Sequence, residues 1–124
     1  MNNLPIFKII IAGGRDFKDY ALLRDTCDRL LSQKRLSHSI TVVSGAARGA
    51  DQMGERYANE RGYPIQRFPP DWEHDGKAAG FIRNAQMAGV ADALVAFWDG
   101  HSKGTSNMID VARKHDLPVR IVRI

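Results

Sequence analysis

Short apolar runs that stop at glycine or a small polar residue, separated by stretches of helical periodicity, set the strongest limit on what this chain can fold into. Residues 6–12 are apolar except for Lys8 and end at Gly13-Gly14; residues 40–43 end at Ser44-Gly45; residues 93–98 end at Asp99-Gly100. A further run occupies 119–124, and a weaker one 64–68. Continuous apolar runs of this length read as strands buried on both faces. Between them, Tyr20, Leu23, Cys27, Leu30 and Leu31 share one helical face. Ala50, Met53, Tyr57 and Ala58 share another, with Gly62 placed to stop that helix. Phe81, Ala85 and Ala88 mark a third helix, and Met108, Ile109 and Ala112 a fourth that ends before Pro118. Strand and helix thus alternate throughout. The pattern predicts right-handed βαβ units, and so an α/β, Rossmann-like three-layer sandwich around a mostly parallel five-stranded sheet.

At 124 residues the sequence is read as a single domain, 1–124. On this reading no separate substrate domain is expected, so one sheet edge is expected to hold the whole ligand or a second subunit to complete the pocket. Eighteen Lys and Arg against 14 Asp and Glu give a net charge of +4, with no polybasic block. This balance suits phosphate-bearing partners without demanding them. Cys27 is the sole cysteine, which excludes an intrachain disulfide and a cysteine-based zinc site. His38, His74, His101 and His115 are too widely spaced for a local metal motif, so no metal is expected. No apolar run approaches the ~20 residues of a membrane span, and residues 1–20 lack the pattern of a secretory leader. A cytoplasmic protein without membrane association is expected.

In a parallel sheet of this kind, ligands bind beyond the carboxyl ends of the strands, where loops enter helix N-termini. Three glycine-bearing loops fall there: Gly13-Gly14-Arg15-Asp16, the stretch from Ser44 to Asp51, and the stretch from Gly100 to Thr105. Small residues let backbone N–H groups approach an anion, and the helix dipole favours negative charge. Tight strand-to-helix turns require glycine in any such fold. Three loops that each pair glycine with Arg, Ser, Lys or Thr nevertheless point to a phosphate cradle. Neither a Walker A sequence nor G-x-G-x-x-G is present.

Four segments carry a more specific resemblance: Gly13-Gly14-Arg15-Asp16-Phe17; Val43-Ser44-Gly45-Ala46-Ala47-Arg48-Gly49-Ala50-Asp51; Gly80-Phe81-Ile82-Arg83-Asn84-Ala85-Gln86-Met87; and Ala96-Phe97-Trp98-Asp99-Gly100 with Gly104-Thr105. Together they resemble the YspA-type branch of the SLOG superfamily, over nearly the whole chain. That superfamily joins DNA-processing proteins of the DprA/Smf type with the LOG phosphoribohydrolases. The resemblance implies a Rossmann-like fold that binds nucleotides or nucleotide-derived ligands. It implies that Ser44, Gly45, Arg48, Gly49 and Asp51 match the phosphate-contacting segment Ser-Gly-x-Ala-Arg-Gly-x-Asp of DprA-type relatives. Arg83 and Asn84 resemble the Arg-Asn of those relatives and the Arg-Lys of LOG enzymes, where the arginine serves substrate binding and cleavage. Gly104-Thr105 resembles the end of the LOG segment Pro-Gly-Gly-x-Gly-Thr-x-x-Glu. Here the pattern departs, because Met108 stands where LOG enzymes carry their catalytic glutamate and Asn84 replaces their lysine. Asp110 lies two positions on, about 200° around a helix, and does not substitute for it.

The expected ligand-binding set is therefore Gly13, Gly14, Arg15, Asp16, Ser44, Gly45, Ala46, Arg48, Gly49, Asp51, Arg83, Asn84, Trp98, Asp99, Gly104 and Thr105. No catalytic residue is assigned. Arg15 could grip a phosphate or pair with Asp16 or Asp19, and Asp51 could accept from a ribose hydroxyl or cap its helix. Trp98 and Asp99, at the end of a strand, are read as nucleobase or ribose contacts, against a tryptophan packed under its loop. Residues 69–77 read as a lid without regular structure, in which Trp72 could stack on a base and His74 with Asp75 could do acid–base work. The leading expectation is a domain that binds a nucleotide or an ADP-ribose- or NAD-like ligand as a sensor or sequestering protein. N-glycosidic cleavage of LOG type and single-stranded DNA binding of DprA type are the alternatives. The resemblance also implies a homodimer or higher homo-oligomer.

Overall fold

The computed structural model describes residues 4–124; the first three residues of the single-domain reading lie outside the described residues. Five strands, β1 (Ile6–Gly13), β2 (Ser39–Ser44), β3 (Ile65–Arg67), β4 (Ala93–Trp98) and β5 (Val119–Arg123), form one parallel sheet in the order β3-β2-β1-β4-β5. Four helices of 12 residues accompany them: α1 (Tyr20–Leu31), α3 (Ala50–Arg61), α5 (Ala79–Val90) and α6 (Lys103–Lys114). The short helices α2 (Lys34–Ser37) and α4 (Trp72–Asp75) complete the set.

Strand alternation divides the core into two layers. Ile9 and Ile11 of β1, Val42 of β2, and Val95 and Phe97 of β4 pack with Leu23, Cys27 and Leu31 of α1 and Tyr57 and Ala58 of α3. Ile10, Ala12, Val43, Leu94 and Ala96 face the other way, against Met87 and Ala88 of α5 and Met108, Ile109 and Ala112 of α6. The chain moves outward from β1 to β3 with its helices on one face, then crosses β1 and moves outward to β5 with its helices on the other. Connections of one hand require that change of face when the direction reverses. The reversal point lies between β1 and β4, where a ligand crevice is expected.

Gly62 ends α3 as expected, left-handed at φ +72°, with the Tyr63 N–H closing back on the Ala58 carbonyl at 2.8 Å. Two local expectations need correction. Residues 69–77 are not structureless: Asp71 Oδ1 accepts the His74 N–H at 3.1 Å and starts α4, and a 3-10 turn (Gly76–Ala78) leads directly into α5. The buried face of α5 carries Asn84, Met87 and Ala88, whereas Phe81 and Ala85 are exposed. This helix is apolar on most sides, so periodicity could not choose its inward face. Among the described residues, no helix is long and apolar enough to cross a membrane.

Candidate functional site

A cavity of about 390 Å³ opens at the reversal point. Its floor is apolar: Ala12 of β1, Met87 of α5 and Met108 of α6. Its walls are the loops after β1 and β2 (Arg15, Ala47), the start of α3 (Asp51), the exposed side of α5 (Phe81, Arg83) and the first turn of α6 (Ser102, Gly104, Thr105). Trp72 and Lys77 also line it. Three cationic side chains, Arg15, Lys77 and Arg83, thus share the cavity with one acid, Asp51.

Arg83 and Asp51 meet at Gly45. Arg83 Nη1 donates to the Gly45 carbonyl, and Arg83 Nε donates to Asn84 Oδ1 at 3.0 Å. A Cβ on Gly45 would lie 2.5 Å from Arg83 Nη1 and 2.8 Å from Asp51 Oδ2, so only glycine leaves room for both. Asp51 Oδ2 accepts the Ala47 N–H at 3.2 Å; the carboxylate therefore orders the β2–α3 loop rather than capping its own helix. Asp51 is only 7% exposed, and burial pushes its pKa up to about 6 against the opposing Ala47 hydrogen bond and the charges of Arg83 and Arg15. Burial, together with the like charge of Arg15, pulls the Arg83 pKa down, while Asp51 acts in the opposite direction. Arg15 is exposed and, among the described residues, has no side-chain hydrogen-bond or salt-bridge partner, so neither Asp16 nor Asp19 pairs with it, although its charge acts on Asp51 and Arg83. Asp19 instead caps α1 by accepting the Leu22 N–H at 3.0 Å.

The loop backbones are braced from beneath. Gly14 accepts the Phe17 N–H at 3.3 Å and the Ala50 N–H at 3.2 Å, joining the first two loops. Gly49, at φ +82° and ψ −127°, lies so close to the Gly14 and Arg15 carbonyls that a side chain there would collide with backbone. Gly13 packs against the Phe97 carbonyl and Ala50, where a Cβ would lie 2.5 Å and 2.8 Å from its neighbours. Ser44 is buried, and its hydroxyl is used internally: it donates to Glu55 Oε2 at 2.6 Å and accepts the Ala46 N–H at 3.1 Å. Glu55 in turn accepts from Arg67 Nε at 2.9 Å. Ala46 adopts φ +61°, a left-handed conformation unusual for alanine.

At the opposite wall, α6 begins after Ser102. The Ser106 N–H closes the first turn on the Ser102 carbonyl at 3.0 Å, the N–H groups ahead of it have no intrahelical partner, and Ser102, Gly104 and Thr105 line the cavity. Ser102 Oγ and Thr105 Oγ1 are 3.2 Å apart, and Thr105 is buried. Asn84 is likewise buried, and its Nδ2 donates to the Gly104 carbonyl at 3.2 Å and to Asn107 Oδ1 at 3.0 Å, tying α5 to α6. Met108 is buried on the cavity floor, so no carboxylate stands at that position.

The other sequence-derived candidates lie elsewhere. Trp98 does not line the cavity; its Nε1 donates to the Ser102 carbonyl at 3.1 Å and Arg123 lies over its ring. Asp99 Oδ1 accepts the His101 and Ser102 N–H groups at 2.7 and 2.8 Å, which holds its pKa below the usual carboxylate range. Asp16 and Asp99 line a separate cavity on the far side of the β1–α1 loop. Arg48 is exposed and outside the main cavity. The exposed His74 pairs with the half-buried Asp75 at 2.7 Å, a hydrogen bond that raises the histidine pKa, and both line a neighbouring cavity that shares Arg83 with the main one. Lys77, Phe81, Met87 and Glu55 are not in the set of site residues expected from the sequence. Lys77 ends the segment read as an unstructured lid, Phe81 is read from the sequence as part of the inward face of its helix, and Glu55 serves Ser44 from eleven residues away.

The geometry has clear relatives. A family described as the YspA, cpYpsA-related SLOG family matches residues 7–74, more than half of the chain, taking in the first two loops and Trp72. The Gene 61 protein of Mycobacterium phage D29 is 35% identical over 119 residues, covering 90% of this chain and 93% of its own. Among solved structures, the X-ray structure of TM1055, a structural-genomics target, is similar with a TM-score of 0.66 at 22% identity, over 91% of this chain and 72% of the other. DNA processing protein A from Helicobacter pylori, described for its single-stranded DNA binding mode, is similar with a TM-score of 0.66 at 19% identity, over 93% of this chain and 64% of that one. At these identities the two structures establish the shared fold. The match to the family over residues 7–74, joined to a relative similar along almost its full length, identifies the chain as a member of the YspA, cpYpsA-related SLOG family.

Proposed function

We propose that this protein binds a nucleotide or nucleotide-derived ligand of the ADP-ribose or NAD kind, with its phosphate held in the cavity between β1, α5 and α6, and acts as a sensor or sequestering protein. The observation that carries the reading is Arg15, a cation without a hydrogen-bond or salt-bridge partner among the described residues, lining the same cavity as Arg83 and the N-terminus of α6. Gly45 supports the reading by letting the β2–α3 loop approach Arg83, and Gly49 by letting that loop approach the Gly14 and Arg15 backbone. Gly104 and Thr105 would supply main-chain N–H groups and Ala47 a wall, while Ser44 and Asn84 brace the loops from behind. Met108 on the floor gives no support to glutamate-assisted N-glycosidic cleavage. Cys27, buried and with its thiol pushed up to about 12 by burial, suits a reducing cytoplasm and no thiol chemistry. The single-stranded DNA binding described for DNA processing protein A from Helicobacter pylori motivates a control with an oligonucleotide rather than the main reading.

Thermal shift against nucleotides, cyclic nucleotides, NAD and ADP-ribose tests the proposal. At least one phosphate-bearing compound raises the melting temperature of the wild type and loses that effect in Arg83→Ala. A flat response to the whole panel, or full stabilisation of Arg83→Ala, contradicts it. Size-exclusion with light scattering tests the proposed homo-oligomer.

A further inference from the structure

We propose that Trp72 and Phe81 form a stacking subsite for the heteroaromatic base of the ligand, an assignment that rests on the phosphate-binding reading of the same cavity. Burial draws attention to the pair. Among the described residues, Trp72 and Phe81 are the two aromatic side chains in the exposed class, each 52% accessible. Among the described residues, neither ring stacks on another ring or lies under a cation, whereas Phe17 stacks on Phe97, Tyr57 meets Tyr63, and Trp98 lies beneath Arg123. Both exposed rings line one cavity, although they come from different elements, the short helix α4 and the first turn of α5.

Their placement relative to the cations fits one compact ligand. Gly80 lies between the Trp72 ring and the Arg83 guanidinium: a Cβ there would be 3.9 Å from Trp72 Cη2 and 3.9 Å from Arg83 Nη2. The Trp72 ring thus stands near the arginine that the phosphate reading uses, Phe81 lines the same cavity, and every nucleobase has a π-face to offer such rings. Exposing two large apolar rings to water is unfavourable without an occupant, and a planar base would cover both while leaving its polar edge hydrated. Asp71 and Gly76 bracket α4 through its N-cap hydrogen bond and a left-handed φ of +57°, which fix where Trp72 is held.

The test compares AMP with ribose 5-phosphate, which share ribose and phosphate and differ by the base. AMP should quench tryptophan fluorescence in the wild type, and ribose 5-phosphate should not. The chain has two tryptophans, and Trp98 lies away from the cavity, so the quench should vanish in Trp72→Phe while AMP affinity is largely kept. Trp72→Ala and Phe81→Ala should each weaken AMP about ten-fold and leave ribose 5-phosphate unchanged. Both side chains are half exposed, so neither truncation threatens the core; unchanged circular dichroism and melting temperature confirm it. Equal affinity for the two compounds, with both alanine variants neutral, overturns the stacking subsite and leaves the phosphate site standing. Failure of the wild type to bind these two compounds and every other member of the nucleotide panel overturns both, and binding of NAD or ADP-ribose that is indifferent to Trp72→Ala and Phe81→Ala overturns the stacking subsite alone. If a short single-stranded oligonucleotide quenches Trp72 and AMP does not, or if Trp72→Ala instead breaks a dimer, a free nucleotide base is not the occupant.

Discussion

The Arg83 guanidinium occupies the space that a Cβ on Gly45 would need, and its Nη1 donates to the Gly45 carbonyl. The contact joins α5 to the loop after β2 across the cavity mouth, and it links the position of a candidate anion-binding cation to the absence of one methyl group. Gly45→Ala therefore displaces Arg83. Because the guanidinium is the end of a flexible side chain, stability should fall by only about 1–2 kcal/mol, the loss of a charge-assisted hydrogen bond. Ligand affinity should fall ten-fold or more. Urea unfolding and titration calorimetry on the same variant separate the two effects.

Two neighbouring backbone positions should respond in opposite directions. Gly49→Ala forces a side chain into the backbone of Gly14 and Arg15 at φ +82°, and should cost about 2–5 kcal/mol from combined backbone strain and overpacking. Ala46→Gly relieves a left-handed alanine at φ +61° and should stabilise by up to about 1 kcal/mol. Denaturant midpoints measured side by side check both signs.

Asp51 gives a pH signature. Its pKa is raised by burial to about 6, so between its ordinary value near 4 and about 6 the folded chain holds a proton that the unfolded chain has lost. The contribution of this group therefore favours folding fully below pH 4, is lost as pH rises towards 6, and is level above that. Asp51→Asn keeps an acceptor for the Ala47 N–H and removes the titration. Relative to the wild type, the variant should gain on the order of 2–3 kcal/mol of stability between pH 4 and pH 7. Parallel urea midpoints for the two proteins would refute this if their difference stayed constant with pH.

On the opposite face of the sheet, Asp28 accepts from the Tyr57 hydroxyl at 2.7 Å and from Arg61 Nε and Nη2 at 3.0 and 2.8 Å, clasping α1 to α3. The hydrogen bond from Arg61 holds the Asp28 pKa below the ordinary carboxylate value, so its support is present above that value and is lost on acidification. Asp28→Ala leaves the hydroxyl of the buried Tyr57 without its partner and should cost about 1–3 kcal/mol at neutral pH. Ligand affinity should not change, because the clasp is remote from the cavity.

The order of strands and long helices was legible because each buried strand is a short apolar run closed by small residues, and α1, α3 and α6 have one clear apolar stripe. The inward face of α5 was not, since Phe81, Ile82 and Val90 are apolar yet exposed while the polar Asn84 is buried. Loop positions such as Gly13, Gly45 and Gly49 could be read as close approaches from the glycines alone, and the partners they approach emerged from packing. Ser44 and Asn84 illustrate the limit. Both have the residue type of a ligand contact, but Glu55 and Asn107, brought near by the fold, engage them internally. Trp98 and Asp99 stand at the expected strand end, yet their polar atoms turn to the β4–α6 loop, for a strand terminus fixes a residue's height on the sheet and not its direction.

The central claim rests most directly on Arg15. Calorimetric titration of ADP-ribose and AMP into the wild type and Arg15→Ala, at low and moderate salt, should show binding by the wild type that weakens with salt and a loss of ten-fold or more in the variant, with its melting temperature unchanged. No binding by the wild type, or equal binding by both proteins, would contradict a phosphate site at the end of β1.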